Sequence, residues 1–93
     1  MSLRIDDPQF AERVRSSFER QNAMQLIQAT MPLVEAGSTE IHLPHWTGVE
    51  QQHGFVHGGV VGMIADSAAG YAAMTLVPAS ASVLTVEYKM NLV

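Results

Sequence analysis

The spacing of apolar residues changes three times along the chain. Phe10, Val14 and Phe18 recur every four residues, the spacing of one helix face, and Asp7-Pro8 ahead of them supplies an N-cap and a proline at the first helical position. An amphipathic helix over about 8–20 is predicted. Asn22 caps a short turn through Leu26, after which the pattern becomes extended, with Pro32 tolerable only at an edge or bulge and Gly37-Ser38 as the reversal of a hairpin. Beyond the reversal Thr39, Ile41 and Leu43 alternate with Ser38, Glu40 and His42, the period of two of a sheet with one wet face, and Pro44 ends it. Residues 45–55 read as a loop. A run rich in Gly and Ala then predicts a long, closely packed, buried helix over about 59–76, stopped by Pro78. Last, Leu84, Val86, Tyr88, Met90 and Leu92 alternate with Thr85, Glu87, Lys89 and Asn91, which predicts a strand still running at Val93. A hairpin and one more strand cannot wrap a long buried helix. Further strands, missing from the C-terminal end or lent by another subunit, are expected to complete the sheet.

The pattern amounts to one α+β domain spanning residues 1–93. A hydrophobic content of 47% excludes disorder, and the lack of an unbroken apolar run of about 18 residues argues against a membrane span. Charges at Arg4, Asp6, Asp7, Glu12, Arg13 and Arg15 interrupt any leader-like opening, so a cytoplasmic protein is expected. With no cysteine, disulfides, thiolate catalysis and Cys-based zinc sites are excluded together. A net charge of −4 argues against a nucleic-acid surface. His42, His45, His53 and His57 show no pair at helical metal-ligand spacing, so no metal is expected. Cations are confined to Arg4, Arg13, Arg15, Arg20 and Lys89; the arginines read as a solvated helix face and as the cheapest positive charge for an anionic ligand.

The candidate chemistry lies in HGFVHGGVVGMIAD, residues 53–66. From Val60 to Val77 the only ionisable side chains are Asp66 and Tyr71. A carboxylate in such surroundings is paired or is held for chemistry, because burying it alone costs several kcal/mol. The turn His57-Gly58-Gly59 precedes it at the mouth of the helix, where unpaired N–H groups and the positive end of the dipole meet glycines that let a carbonyl oxygen come close. The Gly58 N–H is the candidate oxyanion donor, with Gly59 assisting. Asp66 then acts as general base on a water or as the nucleophile itself; both routes stay open. His57 orients the turn rather than taking protons, since no activated Ser or Cys stands beside it.

The order of hairpin, loop with QQHGFVHGG, helix with an Asp nine residues after the His, and TVEYKMNL resembles the hotdog-fold thioesterases of the phenylacetate-degradation (PaaI-like) type, over about 29–93. The resemblance implies a hotdog fold, a curved antiparallel sheet wrapped around a central helix, and an acyl-CoA thioesterase that hydrolyses its substrate to free acid and CoA. It implies no cofactor, CoA being part of the substrate. Asp66 matches the family's catalytic carboxylate, His57-Gly58-Gly59 its turn, and Gly54 the glycine three residues before the His. Gln51 stands where many members have Asn, an amide that can hold water or the thioester, and Thr85 where relatives often carry a Ser or Thr whose hydroxyl faces the site; Gln51 is equally a loop amide, and Thr85 a β-branched strand former.

Gly58 and Asp66 are eight residues apart, roughly 12 Å along a helix. One carbonyl group cannot touch both. Serving one thioester, they come from different protomers of a dimer or tetramer, an arrangement that the resemblance also implies. Two other functions fit the same chain. A hotdog hydratase or dehydratase wants a catalytic His paired with an acid, whereas a noncatalytic acyl-CoA-binding or dimerisation module keeps the glycine turn and has no use for Asp66. The acyl group itself is not legible.

Overall fold

The computed structural model describes residues 4–92. Its elements are α1 (Phe10–Arg20), α2 (Asn22–Leu26), β1 (Thr30–Glu35), β2 (Ser38–His42), a 3₁₀ turn (Thr47–Val49) and α3 (Gly58–Met74). Asp7 folds the approach to α1 into an Asx turn, its Oδ1 accepting the Gln9 N–H at 2.9 Å. The helix therefore opens at Phe10, two residues later than the Asp-Pro pattern predicts, with Val14 and Phe18 on its buried face. Helix α2 closes in a Schellman motif. Gln28 takes the left-handed conformation at φ 63, and the Ala29 and Gln28 N–H groups donate to Met24 O and Gln25 O at 3.0 and 3.1 Å.

That reversal sends the chain into β1, which pairs antiparallel with β2, Leu33 opposite Glu40 and Val34 opposite Thr39. The turn is Ala36-Gly37, one residue earlier than predicted, with Gly37 at φ 75. Pairing is irregular between Thr30 and Leu33, around Pro32, whose missing N–H cannot join the ladder. The core lies where these elements meet α3: Val14, Phe18, Met24, Ile27, Ala29, Met31, Val49 and Tyr71. Phe18 meets Tyr71 edge-on, ring centres 6.1 Å apart.

Three polar ties fix α3 against this frame. Thr75, fully buried, accepts the Gly37 N–H at 2.7 Å and donates to Ala72 O at 2.6 Å, pinning the hairpin turn to the helix end. Thr39 Oγ1 donates to Ala68 O at 2.6 Å. Arg13, held by Asp7 at 3.0 Å, donates to Met74 O and Val77 O at 2.8 and 3.0 Å, satisfying carbonyls that a helix C-terminus leaves unpaired. Arg13 thus belongs to the packing between α1 and α3, not to a solvated face. In the loop before α3, Trp46 donates its indole N–H to Ile27 O at 3.0 Å, and its ring lies so close over Gly48 that any side chain there would overlap it.

Two expectations need correction. Helix α3 is only partly covered: Gly62 and Tyr71 are its buried residues, because a two-stranded hairpin shields one side of it. The predicted last strand does not form either. Residues 81–92 have no regular secondary structure, and Val86 is 93% exposed. A strand is stabilised by hydrogen bonds to a neighbouring strand, and among the described residues β1 and β2 pair only with each other. Val93, the end of that predicted strand, lies outside the described residues.

Candidate active site

The turn into α3 is built around His57. Its backbone is extended (φ −61, ψ 132), its carbonyl accepts the Val60 and Val61 N–H groups at 3.0 and 3.2 Å, and its Nδ1 accepts the Gly59 N–H at 2.8 Å. Nδ1 is therefore the acceptor nitrogen, and the hydrogen of the neutral ring sits on Nε2. The Gly59 N–H, expected to assist at the oxyanion, is occupied by this cap. Gly58 N–H is left without an acceptor among the described residues. The role of His57 as the residue that orients the turn thus has a structural form: it is the N-cap of α3.

The loop ahead of His57 is closed on itself. Gln51 N–H donates to Phe55 O at 2.8 Å, Gly54 N–H donates to Gln51 O at 3.1 Å, and Gly54 adopts φ 84, a conformation natural to glycine. Gln51 Oε1 accepts the His53 N–H, so this amide oxygen faces its own loop. His45 Nε2 lies 2.7 Å from Glu50 Oε2 and 3.2 Å from Gly54 O, and His57 N–H donates to Val49 O at 2.8 Å. These bonds give the Gly58 turn a fixed base.

Asp66 is half-buried, not enclosed. Thr85 Oγ1 donates to Asp66 Oδ1 at 2.7 Å, leaving Oδ2 without a protein partner among the described residues. The pair stands at an open pocket of about 320 Å³. Beyond it, Ser67 Oγ donates to Gln21 Oε1 at 3.1 Å, Gln21 Nε2 donates to the Tyr71 hydroxyl at 2.9 Å, and Ser17 Oγ lies 3.2 Å from the same hydroxyl. All four side chains line the pocket with Asp66 and Thr85.

Of the residues singled out from the sequence, then, Asp66 and Thr85 come together, and His57, Gly58 and Gly59 form a second group at the helix start. The structure does not join the two groups within one chain. Ser17, Gln21 and Ser67 escaped the sequence reading. Tyr71 carried a signal, as the second ionisable side chain of the apolar helix, but Ser17 and Gln21 lie some fifty positions away and only packing brings them in. The arginines are also engaged within the chain: besides Arg13, Arg15 donates to Met31 O at 2.9 Å, Arg20 to Ser16 at 2.6 Å, and Arg4 pairs with Asp6 at 2.8 Å. No helix among the described residues is long and apolar enough to cross a membrane.

Comparison with known proteins bears on the family. The model of the thioesterase superfamily matches residues 53–93, the stretch that contains the turn, Asp66 and Thr85. A crystal structure of a thioesterase family protein from Silicibacter pomeroyi is 44% identical over 88% of this chain, with a TM-score of 0.86. This chain spans 60% of the length of that one. No curated protein matches it. At this identity and TM-score the chain has the hotdog fold of a thioesterase family protein, and its second half carries the pattern of the thioesterase superfamily.

Proposed function

We propose that the protein hydrolyses acyl-CoA thioesters to the free acid and CoA, with each site shared between two subunits. One observation carries the reading. The open Gly58 N–H and the Thr85-held Asp66 carboxylate lie on one helix, eight residues and roughly 12 Å apart, too far for a single carbonyl group. Two chains related by a twofold axis satisfy both contacts, twice. Leu84, Val86, Tyr88 and Leu92, apolar and exposed in the single chain, supply material for such an association.

In this site Asp66 Oδ2 takes a proton from a water, and the water oxygen bonds to the thioester carbon. Charge on the carbonyl oxygen is met by the Gly58 N–H of the other subunit. The C–S bond then breaks, the sulfur leaving with the electron pair and recovering the proton from Asp66. In the alternative route Asp66 attacks the carbon directly, expels the thiolate, and the resulting anhydride is opened by water. Thr85 holds Oδ1 in both, so the carboxylate presents one aimed oxygen. A hydratase would want His57 paired with an acid. Its Nδ1 instead accepts from Gly59, which favours hydrolysis.

The test is release of free CoA from a small acyl-CoA panel, read with a thiol reagent, for the wild type and Asp66→Asn. Asp66 is half-exposed, and Asn keeps an oxygen for Thr85, so stability should move by less than about 1 kcal/mol. Turnover should fall about 10²-fold or more. Near-wild-type turnover in the folded Asn variant would remove Asp66 from the mechanism, and acyl-CoA binding without release would make the protein a noncatalytic module.

A further inference from the structure

The pocket beside Asp66 ends in chemistry that hydrolysis does not use. Its lining includes a chain of four neutral polar groups: Ser67 to Gln21, Gln21 to Tyr71, and Ser17 with Tyr71. Counting hydrogens shows what this chain has left over. Gln21 Nε2 carries two and uses one. Between the Tyr71 and Ser17 hydroxyls one hydrogen is shared, so the other hydroxyl keeps its own. Two donor hydrogens therefore remain without a protein acceptor among the described residues, in a pocket lined by none of the chain's Lys or Arg side chains and already holding the Asp66 carboxylate. The partner that fits is an oxygen acceptor without charge.

We propose that this polar floor makes Gln21 and Tyr71 specificity-determining residues, selecting acyl groups that carry a neutral oxygen, a hydroxyl or carbonyl, at the end remote from the thioester. The proposal rests on the thioester-hydrolase reading above. Tyr71 lies five residues beyond Asp66 on α3, roughly 7.5 Å along the axis, which suits a short acyl chain running from the reacting carbonyl at Asp66 toward the Tyr71 hydroxyl. Val83, Leu84 and Met74 line the same pocket and give the carbon chain apolar contact. A hydrocarbon end placed against Gln21 and Tyr71 would bury donors without acceptors, and a carboxylate end would meet no cation.

The experiment compares kcat/KM for ω-hydroxyhexanoyl-CoA, hexanoyl-CoA and adipoyl-CoA. The wild type should favour the hydroxylated substrate over hexanoyl-CoA by about tenfold, the scale of one well-made neutral hydrogen bond, with adipoyl-CoA poorest. Tyr71→Phe keeps the ring that packs on Phe18, and Gln21→Met keeps the side-chain length; each should bring the hydroxyhexanoyl-to-hexanoyl ratio close to one. A purely structural role for the four groups would lower the melting temperature of the variants without moving that ratio. Equal wild-type kcat/KM for the hydroxylated and plain substrates, a preference for adipoyl-CoA, or an unchanged ratio in both folded variants overturns the specificity proposal while leaving hydrolysis standing. Hydrolysis of none of the three overturns both. Should the variants fail to fold, the wild-type ratios alone decide.

Discussion

Replacing Gly58 by proline removes one hydrogen from the proposed site and little else. Gly58 is the first residue of α3, a position at which proline is favoured, and its N–H has no acceptor among the described residues, so no helical bond is lost. The residue before a proline must be extended, and His57 already stands at ψ 132. The nearest atom to a side chain at this position is Leu92 Cδ1 at 3.0 Å, the far end of a flexible side chain in an irregular segment. Stability should therefore change by no more than about 1 kcal/mol, and the stiffer unfolded chain offsets part of any loss. Loss of an oxyanion donor lowers kcat by about 10²–10³-fold, or roughly 2.7–4 kcal/mol of transition-state stabilisation. Saturating acyl-CoA hydrolysis and a thermal melt on the same preparation read both quantities. A kcat within about threefold of wild type in folded Gly58→Pro protein would refute the assignment of this N–H to the oxyanion, and a collapsed melt would refute the reading of the turn.

The two-chain site makes a separate prediction. Coexpressed Asp66→Ala and Gly58→Pro chains should regain activity that neither has alone, because each mixed dimer assembles one intact site; inactive mixed dimers, verified by mass and folded, would return the site to a single chain. Gly48→Ala should destabilise by about 1–3 kcal/mol, since the new methyl displaces the Trp46 ring and breaks its bond to Ile27 O. Trp46 is the only tryptophan, so its emission should shift to the red as well, and an unchanged melt and spectrum would contradict the packing described.

Much of α3 is legible in the residues themselves. Its turn needs glycines and a capping residue, its length is bounded by His57-Gly58 and Pro78, and a carboxylate in an apolar run stands out without knowledge of the fold. The hairpin is legible for the same local reason, because alternation and Gly37 act over a few residues. Alternation is not sufficient for a strand, however: residues 81–92 alternate but have no neighbouring strand among the described residues to bond with, and pairing is a property of two segments. The same limit applied at the site. The sequence by itself singled out the candidate groups, Asp66 and the Gly58 N–H, and their separation along one helix. Only the tertiary structure decided that His57 occupies the Gly59 N–H, that Thr85 holds Asp66, and that Ser17 and Gln21 reach Tyr71 across the packing of α1 on α3. Those contacts join residues distant along the chain, and a hydrogen bond is set by distance and direction in space, which local pattern does not carry.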